Sequence, residues 1–113
     1  VGGVFRPATE SMVGPVTISE LSRYHVRLAF IGSDGLSCEH GLTTNFVEAA
    51  EVSRTMSAHS ETTVLVADSS KLGKRGFTQV MPLSEVDILI TDDGMDDDAV
   101  RGIEECGVAV RRV

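Results

Sequence analysis

LVADSSKLGKRGF, residues 65–77, is the stretch whose reading decides the fold. Its apolar start ends on an acid, two hydroxyls and a lysine, then breaks into glycine and further positive charge. With Thr63 and Val64 before it, the run TVLVA at 63–67 is nearly continuous in aliphatic residues rather than alternating. Strands covered on both faces read this way. A lysine directly beyond such a strand lies where open α/β sheets place their ligand contacts.

Two similar runs, VRLAFI at 26–31 and VDILIT at 86–91, are also bounded by Gly, Asp or Ser, and the three together predict a parallel sheet. Between the first two, residues 45–58 carry Phe46, Ala49, Ala50, Val52 and Met56 within one arc of a helix, with Glu48, Glu51 and Arg54 opposite. Asn45 is placed to cap that helix, and Glu48 to reach back as in a capping box. A second helix is predicted over 96–106 from Ala99, Val100, Ile103 and Cys106, with Gly107 to end it. A short strand at 108–110 follows, and a further helix with a thin apolar stripe (Val16, Ile18, Leu21, Tyr24) is expected at 15–24. The order helix, strand, helix, strand, strand, helix, strand predicts an α/β, Rossmann-like three-layer sandwich with a mainly parallel sheet. A length of 113 residues fits one domain. At the start, Val1 reads as the tail of a strand and Gly2-Gly3 as the turn after it, so the domain at 1–113 is expected to lack its first strand.

Seventeen acidic residues against ten basic ones give a formal charge of −7, which argues against sequence-independent attraction to nucleic acid phosphates. No apolar run approaches the roughly 20 residues of a membrane span, and the first residues do not form a signal peptide. Cys38 and Cys106 are isolated and lack metal-type spacing. They predict free thiols in a reducing, cytoplasmic setting rather than a disulfide framework, with Cys38 as a packed small residue.

Three segments fall at the predicted carboxyl ends of the strands: Gly32-Ser33-Asp34-Gly35 leading into Gly41-Leu42-Thr43-Thr44, then Asp68-Ser69-Ser70-Lys71, then Asp92-Asp93-Gly94. Each has an ordinary explanation. Gly-x-Asp-Gly suits a turn, and Asp and Ser cap turns through nearby N–H groups. A cation, hydroxyls and glycine-rich turns on one sheet edge nevertheless form a set suited to phosphate. Lys71 is the candidate anion anchor. Lys74 and Arg75 either help attract an anion or solvate a loop. Ser69 or Ser70 as a nucleophile would need a base that the sequence does not announce. DDGMDDD at 92–98 lacks the ligand spacing of an EF-hand and fits helix capping. His25, His40 and His59 are scattered without ligand spacing, so no metal or cofactor is expected.

AFIGSDGLSCEHGLTTNFVEAAEVSRTM at 29–56, followed by VLVADSSKLGKRGFTQVMPLSEVDILITDDG at 64–94, resembles the C-terminal effector-sensing domain of DeoR-family bacterial transcriptional repressors. GG at 2–3 and TESMVGP at 9–15 fit the same domain, so the resemblance covers essentially the whole chain. It implies a fold like that of ribose-5-phosphate isomerase, glucosamine-6-phosphate deaminase and CoA transferases. It also implies a phosphorylated sugar or related metabolite as effector, a winged helix-turn-helix upstream that holds operator DNA, and a homo-oligomer. Carried over by residue, it implies that Gly2, Gly3, Asp34, Gly35 and Lys71 line the effector pocket, and Gly32 joins them as the first residue of the same turn. The deaminases follow their Asp-Gly with a catalytic histidine, but Leu36 stands here, which points to a sensor rather than an enzyme. The family often has Asp before its AF-x-G strand, where this chain has Arg27. Its first strand and phosphate loop would precede residue 1. Two other functions stay in view: a sugar-phosphate isomerase or deaminase, and an oligomerisation module with a vestigial pocket.

Overall fold

The computed structural model describes all 113 residues. A two-stranded hairpin, β1 (Val4–Arg6) and β2 (Ser11–Val13), leads into α1 (Pro15–Leu21) and then β3 (Val26–Ile31). Next come β4 (Gly35–Ser37), β5 (Gly41–Thr44), α2 (Val47–Ala58) and β6 (Ser60–Val66). A 3-10 turn at Ser69–Lys71 precedes β7 (Thr78–Met81), and another at Leu83–Glu85 precedes β8 (Ile88–Thr91), α3 (Asp97–Glu105) and β9 (Ala109–Arg112).

The main sheet has the order β3-β6-β8-β9, parallel throughout, with Phe30 beside Val64, Val64 beside Ile88 and Ile88 beside Ala109. A second sheet, β4-β5-β7, is antiparallel. The chain is therefore an α/β, Rossmann-like domain with a parallel main sheet, as the continuous apolar runs predict.

One face of the parallel sheet carries the core. Ile31, Leu65 and Leu89 point to the same side and pack with Ala50 of α2, Ile103 of α3, and Leu36, Leu42 and Val80 of the small sheet. Leu36, Leu42, Leu65 and Leu89 are fully buried, each contributing about 1.5–3 kcal/mol of transfer free energy. Residues of the other face alternate with these. Val26, Leu28 and Phe30 of β3 and Val66 of β6 remain 46, 45, 56 and 49% exposed.

Helix ends show where local rules competed. The helix expected at 15–24 stops at Leu21, with Ser22 as C-cap donating its hydroxyl to the Ile18 carbonyl. The capping box expected at Asn45 and Glu48 does not form. Phe46 is the N-cap without a side-chain bond, Asn45 Oδ1 instead accepts from the Phe77 N–H at 3.2 Å, and Glu48 pairs with Arg6 at 2.7 Å. Tertiary partners outbid the local ones. Asp96 does cap α3, accepting from the Ala99 N–H at 2.8 Å, and Gly107 leaves the helix at a φ of 94°. Val1 lies outside any strand, and the first strand begins at Val4.

The free-thiol expectation is overturned. Cys38, exposed at the tip of the β4–β5 hairpin, is disulfide-bonded to half-buried Cys106, the C-cap of α3, with Cα atoms 6.3 Å apart. Sixty-eight residues separate them in sequence, and the packing of α3 beside the hairpin brings them together.

Candidate functional site

The site grows from the carboxyl end of β3. Beyond Ile31 the chain turns through Gly32 and Ser33 to Asp34, and then pairs with β5. The Asp34 N–H donates to the Thr43 carbonyl at 3.0 Å. Asp34 Oδ2 accepts from Thr44 Oγ1 at 2.7 Å and from the Asn45 N–H at 3.1 Å. The carboxylate is thus fixed in direction, with its other oxygen free for a ligand. Ser33 Oγ donates to the Gly35 and Thr43 carbonyls, so this turn is held by its own side chains.

Around Asp34 lies a cavity of about 190 Å³, lined by Gly32, Ser33, Asp34, Thr44 and Ser53, with Phe46, Ala49 and Val80 as its apolar wall and Thr9 of the β1–β2 loop beside them. One carboxylate and several hydroxyls around a small apolar wall suit a polyhydroxylated ligand, since fixed polar groups pair with ligand hydroxyls while apolar side chains exclude water. Arg6 does not serve the cavity as a cation, being bound to Glu48 through two nitrogens.

The loop from Ala67 to Phe77 straps over the same region. The Gly73 N–H donates to the Leu36 carbonyl at 2.9 Å, and the Gly76 N–H donates to Thr43 Oγ1 at 2.8 Å. Side-chain-free residues are needed at two crossings. A Cβ on Gly35 would stand 2.3 Å from the Lys74 carbonyl oxygen, and one on Gly76 would stand 2.7 Å from the Thr44 carbonyl carbon. Gly35, read from the sequence as a turn residue, opens β4, and it is the close approach of the Lys74 backbone rather than its φ that requires a glycine there.

Lys71 ends the 3-10 turn beyond β6 and is half-buried. It takes part in none of the four ion pairs. Its turn is built by Asp68, which accepts from the Ser70 N–H at 2.9 Å, and by Asp92 beyond β8, whose Oδ2 accepts from the Ser69 N–H at 3.0 Å. The Ser70 hydroxyl and N–H hold the Asp68 carboxyl below the usual carboxylate range, and Ser69, followed by the Gly94 N–H, does the same for Asp92. Asp68 and Asp92 are therefore the scaffold that sets Lys71 at the strand-end edge.

Of the residues expected at the site, Gly32 and Asp34 line the cavity. Gly35 lies behind it under the strap. Lys71 shares the sheet edge but is not among the lining residues. Gly2 and Gly3 sit apart against α1: the Gly2 N–H donates to Glu20 Oε2 at 3.2 Å, and the Gly2 carbonyl accepts from Thr17 Oγ1 at 2.6 Å. Thr44 falls in the first of the three strand-end segments without having been singled out as a binding residue, and Ser53 and Thr9 were not anticipated. The TT pair after Gly41 was the available signal for Thr44, whereas Thr9 and Ser53 are brought in by packing alone. The histidines occupy separate elements, His25 before β3, His40 in the hairpin tip and His59 at the end of α2.

Comparison with known proteins follows the same lines. Residues 1–93 match the model of the DeoR C terminal sensor domain. The chain is 41% identical over 109 residues to the HTH-type transcriptional regulator GlpR of Haloferax volcanii, covering 96% of this chain and 43% of that protein. It is 40% identical over 92 residues to the HTH-type transcriptional repressor GlcR of Bacillus subtilis, covering 81% of this chain and 35% of that protein. With the lactose phosphotransferase system repressor of Streptococcus mutans it shares 34% identity over 97 residues, 86% of this chain and 38% of that protein. It thus spans less than half the length of these relatives. By the extent of the sensor-domain match and the identity to these regulators, the chain belongs to the DeoR family.

Proposed function

We propose that this chain is the effector-sensing part of a transcriptional regulator of sugar metabolism, and that its ligand is a phosphorylated sugar or related metabolite. The observation that carries this is the placement of Asp34 and Lys71 at the carboxyl ends of adjacent parallel strands, one in a hydroxyl-lined cavity, the other on a turn built to hold it. Asp34 would accept hydrogen bonds from sugar hydroxyls, and Lys71 would meet the phosphate as a point charge. Gly2, Gly3, Gly32 and Gly35 complete the proposed binding set, with Gly2, whose N–H and carbonyl are bonded to Glu20 and Thr17, and Gly3 standing beside α1. No cofactor or metal is part of the proposal.

The ligand acts by binding two states of the regulator unequally, altering how an upstream winged helix-turn-helix holds operator DNA in a cytoplasmic homo-oligomer. The outer edge of β3 is unpaired, and Val26, Leu28 and Phe30 beside it are about half exposed. Both features support a domain completed in the longer protein by a further strand and phosphate loop.

Binding without turnover is favoured because Leu36, which stands where the deaminases carry histidine, is fully buried in the core and offers no proton-transfer group. A second reading, an oligomerisation module with a vestigial pocket, is favoured by the absence of Lys71 from the cavity lining. Thermal shift of the full-length regulator against a panel of sugar phosphates tests both. Ligand at 100 times its Kd should stabilise by about 2.7 kcal/mol. No shift with any compound supports the vestigial pocket, and isomerisation or ammonia release would overturn the sensor.

A further inference from the structure

We infer that Cys38 and Cys106 form a redox-sensitive clasp on the hairpin that carries the site, closed as a disulfide and opened by thiol reductants. This regulatory role rests on the proposed intracellular setting, where a disulfide is rarely a permanent brace and more often a transient, redox-responsive bond.

The β4–β5 hairpin is a short lever. At its base, Gly35 follows Asp34, and Thr43 and Thr44 hold Asp34 by its N–H and its carboxylate. At its tip, Cys38 is bonded to Cys106. The tip has few other ties: the His40 N–H donates to Ser37 Oγ at 3.0 Å within the turn, and Gln79 Nε2 donates to the His40 carbonyl at 2.9 Å. Cys38 Sγ also lies 3.3 Å from the Gly102 carbonyl oxygen, so the tip runs along the last turns of α3. The bond is thus a covalent connection between the far end of the site hairpin and the last helix. With Cys38 exposed, a small thiolate can reach it.

The chemistry balances as thiol–disulfide exchange. A reductant thiolate, glutathione or a dithiol, attacks Cys38 Sγ, the Cys38–Cys106 bond breaks, and Cys106 leaves as a thiolate that takes up a proton. A second reductant thiolate resolves the mixed disulfide, so two protein thiols form while the reductant is oxidised to its own disulfide. Opening frees the hairpin tip from α3, and motion there passes to the Thr43–Asp34 and Thr44–Asp34 contacts.

The test needs no sugar phosphate, so its failure is distinct from failure of the proposed function. The protein is equilibrated in glutathione buffers from fully oxidised to fully reduced, quenched with iodoacetamide, and examined by intact mass and hydrogen exchange. Expected are no labels in the oxidised buffer and two in the reduced one, with amides at 37–44 exchanging about tenfold faster once the clasp opens. Cys38→Ser should exchange at the faster rate in both buffers, and carbamidomethylated wild type provides the same comparison should that variant fail to fold. Two labels in the oxidised buffer, a bond that survives the fully reduced buffer, or equal exchange in the two states would each overturn the clasp.

Discussion

The carbonyl oxygen of Lys74 lies 2.3 Å from the point where a Cβ on Gly35 would stand. The strap loop and the site hairpin touch backbone to backbone at this crossing. Gly35→Ala must push the two apart and is expected to cost about 1–3 kcal/mol, as overpacking does. Urea denaturation checks this, with Gly32→Ala as the comparison, because a Cβ at Gly32 meets nothing within 4 Å.

Thr44 is nearly buried, and its hydroxyl supplies one of the two donors to Asp34 Oδ2. Thr44→Val keeps the shape and removes the donor, leaving a carboxylate under-paired beside the cavity. A loss of about 1–3 kcal/mol in stability is expected, together with weaker effector binding as Asp34 loses its fixed direction. Denaturation and calorimetric titration read the two effects separately.

Lys71 is half-buried and outside the core cluster. Lys71→Ala should change stability by no more than about 0.5 kcal/mol while raising the Kd for a sugar phosphate by about tenfold, or ~1.4 kcal/mol. An unchanged Kd would remove the lysine from the site.

Asp68 and Asp92 both have carboxyls held below their ordinary range by hydrogen bonds from Ser70 and Ser69. Their folded-state values lie beneath the unfolded ones, so the stabilisation is present in full above the unfolded value of about 3.9. It is lost as pH falls from there through the depressed folded values. Acidification below about pH 4 should therefore loosen the 68–71 turn, seen as faster exchange at the Ser69 and Ser70 amides, and Asp92→Asn should blunt the response at Ser69.

The strands of the parallel sheet were legible because they read as nearly unbroken aliphatic runs, although in β3, at the edge, one face is about half exposed rather than covered. Residues 26–31 are a strand as read, and Ser60–Val66 extends the 63–67 run by continuing to pair with β3. Short antiparallel strands were not legible. Gly35–Ser37 and Gly41–Thr44 have three and four residues; they pair with each other as a short hairpin, and β7, more than thirty residues on, adds a second partner to Leu42, Thr43 and Thr44. The capping expectation failed at Asn45 for a related reason: a side chain that could close a helix locally met a better-placed amide at Phe77. Of the site, the Gly-x-Asp-Gly turn and the lysine after the strand were readable from residue chemistry. The cavity wall from Phe46, Ala49 and Val80 and the Cys38–Cys106 bond exist only through three-dimensional packing.

The bare side of β3 has a practical meaning for handling the protein. A row of Val26, Leu28 and Phe30 beside unclaimed backbone donors and acceptors is adhesive toward any extended chain, including another copy. Purified by itself at high concentration, this polypeptide should stick to itself and bind hydrophobic dyes. Replacing Phe30 with a charged residue should then improve its solubility without disturbing the core on the opposite face.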